Sequence, residues 1–484
     1  KMQGRLRALL RPAAEEGLTA QFHFHLTMLR VALHQKVSTV LCDRTLLGDL
    51  RTTGACYTED GVAEPFDDPN PSFCVRHTPL DTLDLSEQHL SVELASAMVS
   101  ALQANPTFRY INFASSNVAE RLDSVLPILQ CPKLRLYSLN LSFCKLGQVG
   151  LANVARALQG TNVPLAELSL IGNDLVENDI VELSTWLETN RGLKLLDLGM
   201  NHRMGPGGLA ALQRGLSRAG HPLQSLGLSG IGLNDECAEV LASLVLDPAF
   251  KAEFFDISWN VLGIDNQGHV ASVLGQMKSV RELHAMSMKL GLMGYRKLFQ
   301  NYKNSDRIEV LHLSSNYGPA ELAPDFLEVL PTMTNLRWLE ITSNGFNVPF
   351  LQHIAPYFAM PTKLTILTFS NCDLQNPGAQ VFASILAQST TLLELHLSLN
   401  QFTDAGAIAI AGALQASNKT LQSLRLDENE IGPDGINALI SALQHNSTLR
   451  YLDISENDFD PAQYQHVTFP NAPSRELRLL ATEM

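Results

Sequence analysis

His23 and His25 stand two residues apart in FHFHL, a spacing at which an extended chain could aim two imidazoles at one zinc ion. The segment reads as helix and no partner ligands lie nearby, so the pair is expected to bind no metal. His284, His312 and His396 share one outward position in a recurring pattern described below, and are expected to be surface residues. The seven cysteines, Cys42, Cys56, Cys74, Cys131, Cys144, Cys237 and Cys372, are odd in number, widely spaced and form no C-x-x-C pair. That usage suits a reducing compartment, and a cytoplasmic location is expected. No Walker A sequence, H-E-x-x-H or G-x-S-x-G occurs. The chain is therefore expected to be no enzyme, with no catalytic residue, no cofactor and no metal.

Any binding groups must be positioned by a scaffold, and composition limits which. Of 484 residues 45% are hydrophobic and 17% charged, the balance of a folded chain with ample core. The formal net charge of −14 disfavours nucleic acid, which demands clustered Lys and Arg. No apolar run is long enough for a membrane-spanning helix. A basic or neutral protein is the natural partner, with no nucleic acid and no membrane.

From Leu80 onward the pattern L-x-x-L-x-L-x-x-N/C-x-L recurs fourteen times, at intervals of 28 to 30 residues. LQSLRLDENEI from Leu421, followed by GPDGINALISALQHNST, is a clean copy. Positions one, four and six point inward from a short strand, while positions three, five and seven point outward and position eight stands at the rim. Position nine is Asn in eight repeats and Cys in two, Cys144 and Cys372. An inward amide there can bond the backbone of the next coil where the strand ladder ends. The second half of each unit, such as Ala438, Leu439, Ala442 and Leu443, has helical spacing. A single unit cannot bury its own flanks, so stacking is obligatory.

These repeats resemble the ribonuclease-inhibitor-like class of leucine-rich repeats over about residues 80–470. The class implies an α/β solenoid, a horseshoe of about fourteen repeats with parallel strands on its concave face and helices on its convex face. It implies a non-catalytic protein-interaction scaffold, for example a subunit of a ciliary or cytoskeletal complex. Alternatives within the class are a regulator of an enzyme or GTPase, like the Ran GTPase activators or an inhibitor, and a secreted bacterial effector. The chain lacks an acidic tail and lacks the cysteine abundance of ribonuclease inhibitor.

Residues 1–79 do not fit the period and are expected to form an N-terminal cap or small helical domain, with a helix over Thr19–Gln35, an apolar run Val37–Cys42 and a turn at FDDPNPS. Residues 80–460 are the repeats. Residues 461–484, ending in the helical-looking RELRLLATEM, are expected to be a C-terminal cap. Repeats seven to ten are the least regular, with Ala252 and Val280 at position one and Met288 in the Asn slot. Serine dominates position seven, where a small side chain suits a crowded inner curve. Residues 390–460 carry ten acidic against three basic residues, whereas 278–307 carry seven basic against two acidic, with Lys289, Arg296, Lys297 and Lys303 on the helical layer. The partner surface is expected on the C-terminal half of the strand face, at Trp338, Glu340, Glu394, His396, Arg425, Asp427, Glu428, Tyr451, Asp453 and Glu456. Trp338 and Tyr451 would serve as anchors and the acids would orient the partner.

Overall fold

The computed structural model describes residues 56–57, 63–64, 82–92, 95, 109–131, 134–159, 165–219, 223–261, 268–465, 467 and 476–478. The chain divides into two compact units, Lys1–Gly227 and Leu228–Met484. Before the repeats, strands β1 (Cys56–Tyr57) and β2 (Ala63–Glu64) pair antiparallel. The expected helix at Thr19–Gln35, the run Val37–Cys42, FDDPNPS and the two N-terminal histidines lie outside the described residues.

In the first unit β3 (Thr82–Asp84), β4 (Tyr110–Asn112), β5 (Ser138–Asn140), β6 (Glu167–Ser169), β7 (Leu195–Asp197) and β8 (Ser225–Gly227) pair in parallel, position three facing position three throughout. Helices α1 (Leu122–Leu129), α2 (Gly147–Gln159), α3 (Glu177–Thr189) and α4 (Gly205–Ala219) return the chain between strands. The second unit repeats the scheme with β9 (Phe254–Asp256), β10 (Glu282–His284), β11 (Val310–His312), β12 (Trp338–Glu340), β13 (Ile366–Thr368), β14 (Glu394–His396), β15 (Ser423–Arg425) and β16 (Tyr451–Asp453). Its helices are α5 (Ala238–Val245), α6 (His269–Gln276), α7 (Gly291–Tyr302), α8 (Ala323–Val329), α9 (Val348–Phe358), α10 (Gln375–Gln388), α11 (Asp404–Ala416) and α12 (Pro433–His445). The fold is an α/β solenoid of leucine-rich repeats.

One unit shows why the sequence folds this way. Leu421, Leu424 and Leu426 are fully buried, as are Ile436 and Leu439 on the facing side of α12. Each such side chain contributes roughly 1.5–3 kcal/mol. Gly432 lies in extended backbone before α12, and Pro433 begins it, where its missing N–H costs nothing. In the irregular repeats, aromatic side chains supply the volume: Tyr295, Phe299, Phe326, Phe346 and Phe350 form one cluster of mostly edge-to-face rings in which Phe346 and Phe350 stack, and Phe255 is fully buried in the repeat that carries the small Ala252.

The strands are only three residues long because the chain turns away after position five, and two devices carry the ladder through that turn. Position eight adopts a left-handed backbone in all fourteen repeats, with φ between 50 and 62°, although only Gly172 and Gly230 are glycines. Each non-glycine residue there costs about 1–2 kcal/mol. In return its N–H reaches the position-seven carbonyl of the next repeat, as in Ser115 to Ser142 at 2.8 Å, Trp259 to Met286 at 2.8 Å and Glu428 to Ser455 at 3.0 Å. The second device is the asparagine ladder. The Asn429 Oδ1 accepts from the N–H groups of Asn400 and Phe402 at 2.9 and 3.1 Å, while its Nδ2 donates to the carbonyls of Leu397, Leu426 and Asp427. Asn173, Asn201, Asn260, Asn316 and Asn400 are completely buried in the same way. The inward amide expected from the sequence is what the structure shows.

Two expectations are corrected. Glu476–Arg478, read as helical, is a strand, β17, pairing in parallel with β16 so that Leu477 faces Leu452. Its Glu-Leu-Arg alternation satisfies the open edge of β16, which a helix would leave unpaired. Position seven was expected to face outward, yet Ser142, Ser258, Ser314, Ser370 and Ser455 are buried. The turn begins there, and the hydroxyls of Ser142, Ser314 and Ser455 are taken up by position-five groups, as when Ser455 donates to Asp453 at 2.6 Å. The structural reading of these serines therefore holds.

Candidate functional site

On the strand face of the second unit, positions three and five alternate with the buried leucines and stand side by side in register. From β9 to β16 they place Phe254, Asp256, Glu282, His284, Val310, His312, Trp338, Glu340, Ile366, Thr368, Glu394, His396, Ser423, Arg425, Tyr451 and Asp453 on one surface. Five are acidic and Arg425 is the one guanidinium among them. At the neighbouring position two, Arg281 lies between Glu253 (3.8 Å) and Glu309 (2.9 Å), and Arg337 also reaches Glu309 at 3.8 Å. That row neutralises itself across four repeats and leaves the acids of positions three and five as the charge of the face.

The surface residues named from sequence fall on four strands and their turns. Trp338 and Glu340 lie on β12 and are half-buried. The Trp338 Nε1 points toward the Thr368 hydroxyl at 3.4 Å, and that hydroxyl lies 3.3 Å from His396 Nδ1. The other His396 nitrogen is 3.7 Å from Glu394 on the same strand. Arg425, on β15, is exposed and lies over the Tyr451 ring at 5.8 Å. Asp427 accepts from Ser398 at 2.8 Å, while Glu428 and Glu456 are fully presented by the left-handed turn. The structure thus joins Trp338 to His396 through Thr368, and Arg425 to Tyr451.

Asp453 departs from expectation. It is only 2% exposed, and its oxygens accept from the Ser455 N–H and hydroxyl and from the Tyr451 hydroxyl. A short carboxylate at position five reaches the turn N–H two residues on, as Asp197 and Asp256 also do at 2.9 Å. Asp453 is a turn cap and is removed from the orienting acids.

His284 and His312, expected as separate surface residues, are instead packed among rings, and His312 is buried. Phe254, His284, His312 and Trp338 form a continuous row of rings across β9–β12, with centroids 4.9, 4.2 and 4.4 Å apart. The two imidazoles are stacked at 21°, and Phe254 and Trp338 meet them edge-on. The equal spacing of His284 and His312 within adjacent repeats was a visible signal. The diagonal contact between position three and position five was not. Glu282 lies 2.8 Å from the His284 Nε2. Burial, and then the neighbouring His284, press the His312 imidazole down to about 4, and burial followed by Arg425 holds His396 down to about 4. Both are uncharged at neutral pH, so the 3.7 Å approach of His312 Nε2 to Glu340 is no ion pair, and that nitrogen has no hydrogen-bond partner. Burial holds the Glu340 carboxyl above its ordinary range, against the lowering effect of the Ser314 hydroxyl.

On the helical side, Arg296 meets Asp325 at 3.3 Å and Lys303 meets Glu328 at 2.5 Å, so part of that basic stretch is already paired. Among the described residues no group of three or more His, Cys, Asp or Glu could hold a metal ion, and no helix is long and apolar enough to cross a membrane.

A family profile described as Leucine Rich repeat matches residues 361–383, 388–411, 417–439 and 445–462. The chain is 27% identical over 382 residues to ribonuclease inhibitor from Sus scrofa, covering 78% of this chain and 82% of that protein. It is 25% identical over 361 residues to ribonuclease inhibitor from Mus musculus, covering 74% and 79%. A shorter match of 28% over 186 residues joins it to NACHT, LRR and PYD domains-containing protein 14 of Mus musculus, covering 38% and 19%.

Proposed function

Because the chain is a leucine-rich-repeat solenoid of the ribonuclease-inhibitor-like class, we propose that it is a protein-interaction scaffold whose partner docks on the strand face of residues 228–484. The observation that carries this reading is the register of that face. Aromatic and acidic side chains project from successive strands, while the arginines beside them, Arg281 and Arg337, are spent on Glu253 and Glu309. Strands about 4.7–4.9 Å apart bring five repeats within the width of one ordinary protein contact. A basic or neutral partner fits the charge. Trp338 and Tyr451 are its anchors, and Glu340, Glu394, Asp427, Glu428 and Glu456 its orienting acids, with His396 and Arg425 between them. Residues 1–79 act in this scheme as a cap, and the intact protein serves as a subunit of a larger assembly.

The test is affinity capture with the intact chain, followed by identification of the captured protein and binding kinetics. Asp427→Lys is expected to slow association and weaken its salt dependence, whereas Trp338→Ala mainly speeds dissociation. Lys297→Glu on α7 should leave both unchanged. Normal binding by both strand-face variants, with loss in the α7 variant, would overturn the proposal.

A further inference from the structure

The ring row across β9–β12 has properties that the rest of the face lacks. Its two flanking acids, Glu282 and Glu340, are not matched by any lysine or arginine at positions three, five or seven of those four strands. Glu340 is only 21% exposed at its side chain, and Ser314 gives it a single hydroxyl. Its other carboxylate oxygen stands 3.7 Å from a neutral imidazole nitrogen that is itself buried and unpartnered. A desolvated carboxylate beside an uncharged, unpartnered imidazole is an electrostatic demand for a positive donor. Trp338 lies at 69° to the His312 ring, so its indole does not continue the imidazole stack but turns across its end. Trp259, 62% exposed, stands on the left-handed turn that follows β9. Aromatic planes and carboxylates are thus gathered on adjacent strands.

Resting on the proposed partner-binding role of this face, we infer that the β9–β12 notch receives an arginine side chain of the partner, its guanidinium stacking on Trp338 and donating to Glu340 and Glu282. A guanidinium fits better than an ammonium for two reasons. It is planar, so it stacks on an indole while its edge stays free to donate, and it presents a fork of N–H groups to separate acceptors. It is also the more weakly hydrated cation, and so loses less on entering a half-buried site.

The test titrates the full chain with blocked tri-arginine, tri-lysine and tri-citrulline peptides, followed by tryptophan fluorescence and calorimetry. Tri-arginine should bind about tenfold more tightly than tri-lysine of equal charge, and tri-citrulline should not bind. Glu340→Gln and Glu282→Gln, which keep side-chain shape, should each weaken tri-arginine binding by about tenfold, a loss equivalent to one charge-assisted contact. Trp338→Leu should erase the preference for arginine over lysine, while Glu430→Gln, an equal loss of charge elsewhere, should change nothing. Circular dichroism confirms that each variant is folded. Equal binding of the arginine and lysine peptides, or an equal loss in Glu430→Gln, would overturn the inference and reduce the effect to general attraction by an acidic face. Because the probes are defined peptides, that failure leaves the capture experiment standing. Normal capture by the strand-face variants, in turn, would remove the wider function without touching the arginine selectivity.

Discussion

Replacing Asn429 by leucine adds apolar volume to a buried site and should nevertheless destabilise the protein. The amide makes five hydrogen bonds, but they are not equally replaceable. The Leu397 carbonyl keeps the Asn400 amide at 3.1 Å, the Leu426 carbonyl keeps Asn457 at 2.9 Å, and the Asp427 carbonyl keeps the Leu399 N–H at 3.3 Å. The donors fare worse, for the N–H groups of Asn400 and Phe402 both end on Asn429 Oδ1. Two orphaned buried donors cost about 1–3 kcal/mol each. The new leucine recovers roughly 1.5–3 kcal/mol by burial. A net loss of about 2 kcal/mol is expected, read as a lower urea midpoint by circular dichroism. Asn429→Cys should fall between the two, since a thiol already fills this slot at Cys372, where Sγ lies 3.3 Å from the Ser370 carbonyl. A leucine variant as stable as the parent would refute the ladder argument, whatever its melting profile otherwise looks like.

Stability should fall on acidification before the carboxylates titrate. His312 and His396 have folded values near 4 against 6.5 unfolded, so the unfolded chain binds more protons between those limits. Their contribution is complete above about pH 6.5 and is lost as pH falls toward 4, at up to about 1.4 kcal/mol per pH unit for each group. Glu340 works in the opposite sense, its raised value favouring the folded state on protonation. Urea midpoints from pH 7 to 4.5 should therefore flatten in His312→Asn, and an unchanged slope would contradict the burial assigned to that ring. At position eight, Leu399→Gly should hold or raise the melting temperature despite removing a large side chain. It relieves a left-handed cost of about 1–2 kcal/mol against a backbone-entropy loss of about 0.5–1 kcal/mol, and Leu399 is 43% exposed. A clear drop in melting temperature would mean that the side chain packs in solution.

The period of 28 to 30 residues made the strand, turn and helix of each unit legible, because burial repeats wherever the backbone repeats. Leu421, Leu424, Leu426 and Asn429 show this most plainly, since each inward position admits few residue types. Glu476–Arg478 misled because three residues are too few to separate helical from strand periodicity, and only the open edge of β16 decides between them. The outward positions were legible as a set and not as contacts. Trp338 and His396 could be placed on one face, but the link through Thr368 depends on rotamers that no spacing reveals. His312 was hidden for the same reason, since its burial comes from His284 and Trp338 on the two neighbouring strands.

Side-chain length separates the acids that build the repeat from those that can meet a partner. An aspartate at position five reaches back to the N–H of position seven in its own turn, as Asp197, Asp256 and Asp453 do. The turn gains a cap, and the carboxylate is drawn down into the backbone. A glutamate is one methylene too long for that geometry. At the same position Glu340 crosses instead to the Ser314 hydroxyl on the adjacent strand, and at position three Glu282 and Glu394 extend toward the imidazoles of their own strands. The left-handed position eight works in parallel, since its backbone swings the side chain outward whatever its type, leaving Phe143, Met200, Trp259 and Leu399 exposed where glycine alone would be unstrained. The repeat therefore tolerates variation at the positions that project most, at an energetic cost covered by the backbone ladder. Those positions, together with the glutamates of positions three and five, are where one solenoid of this class can differ from another in what it binds.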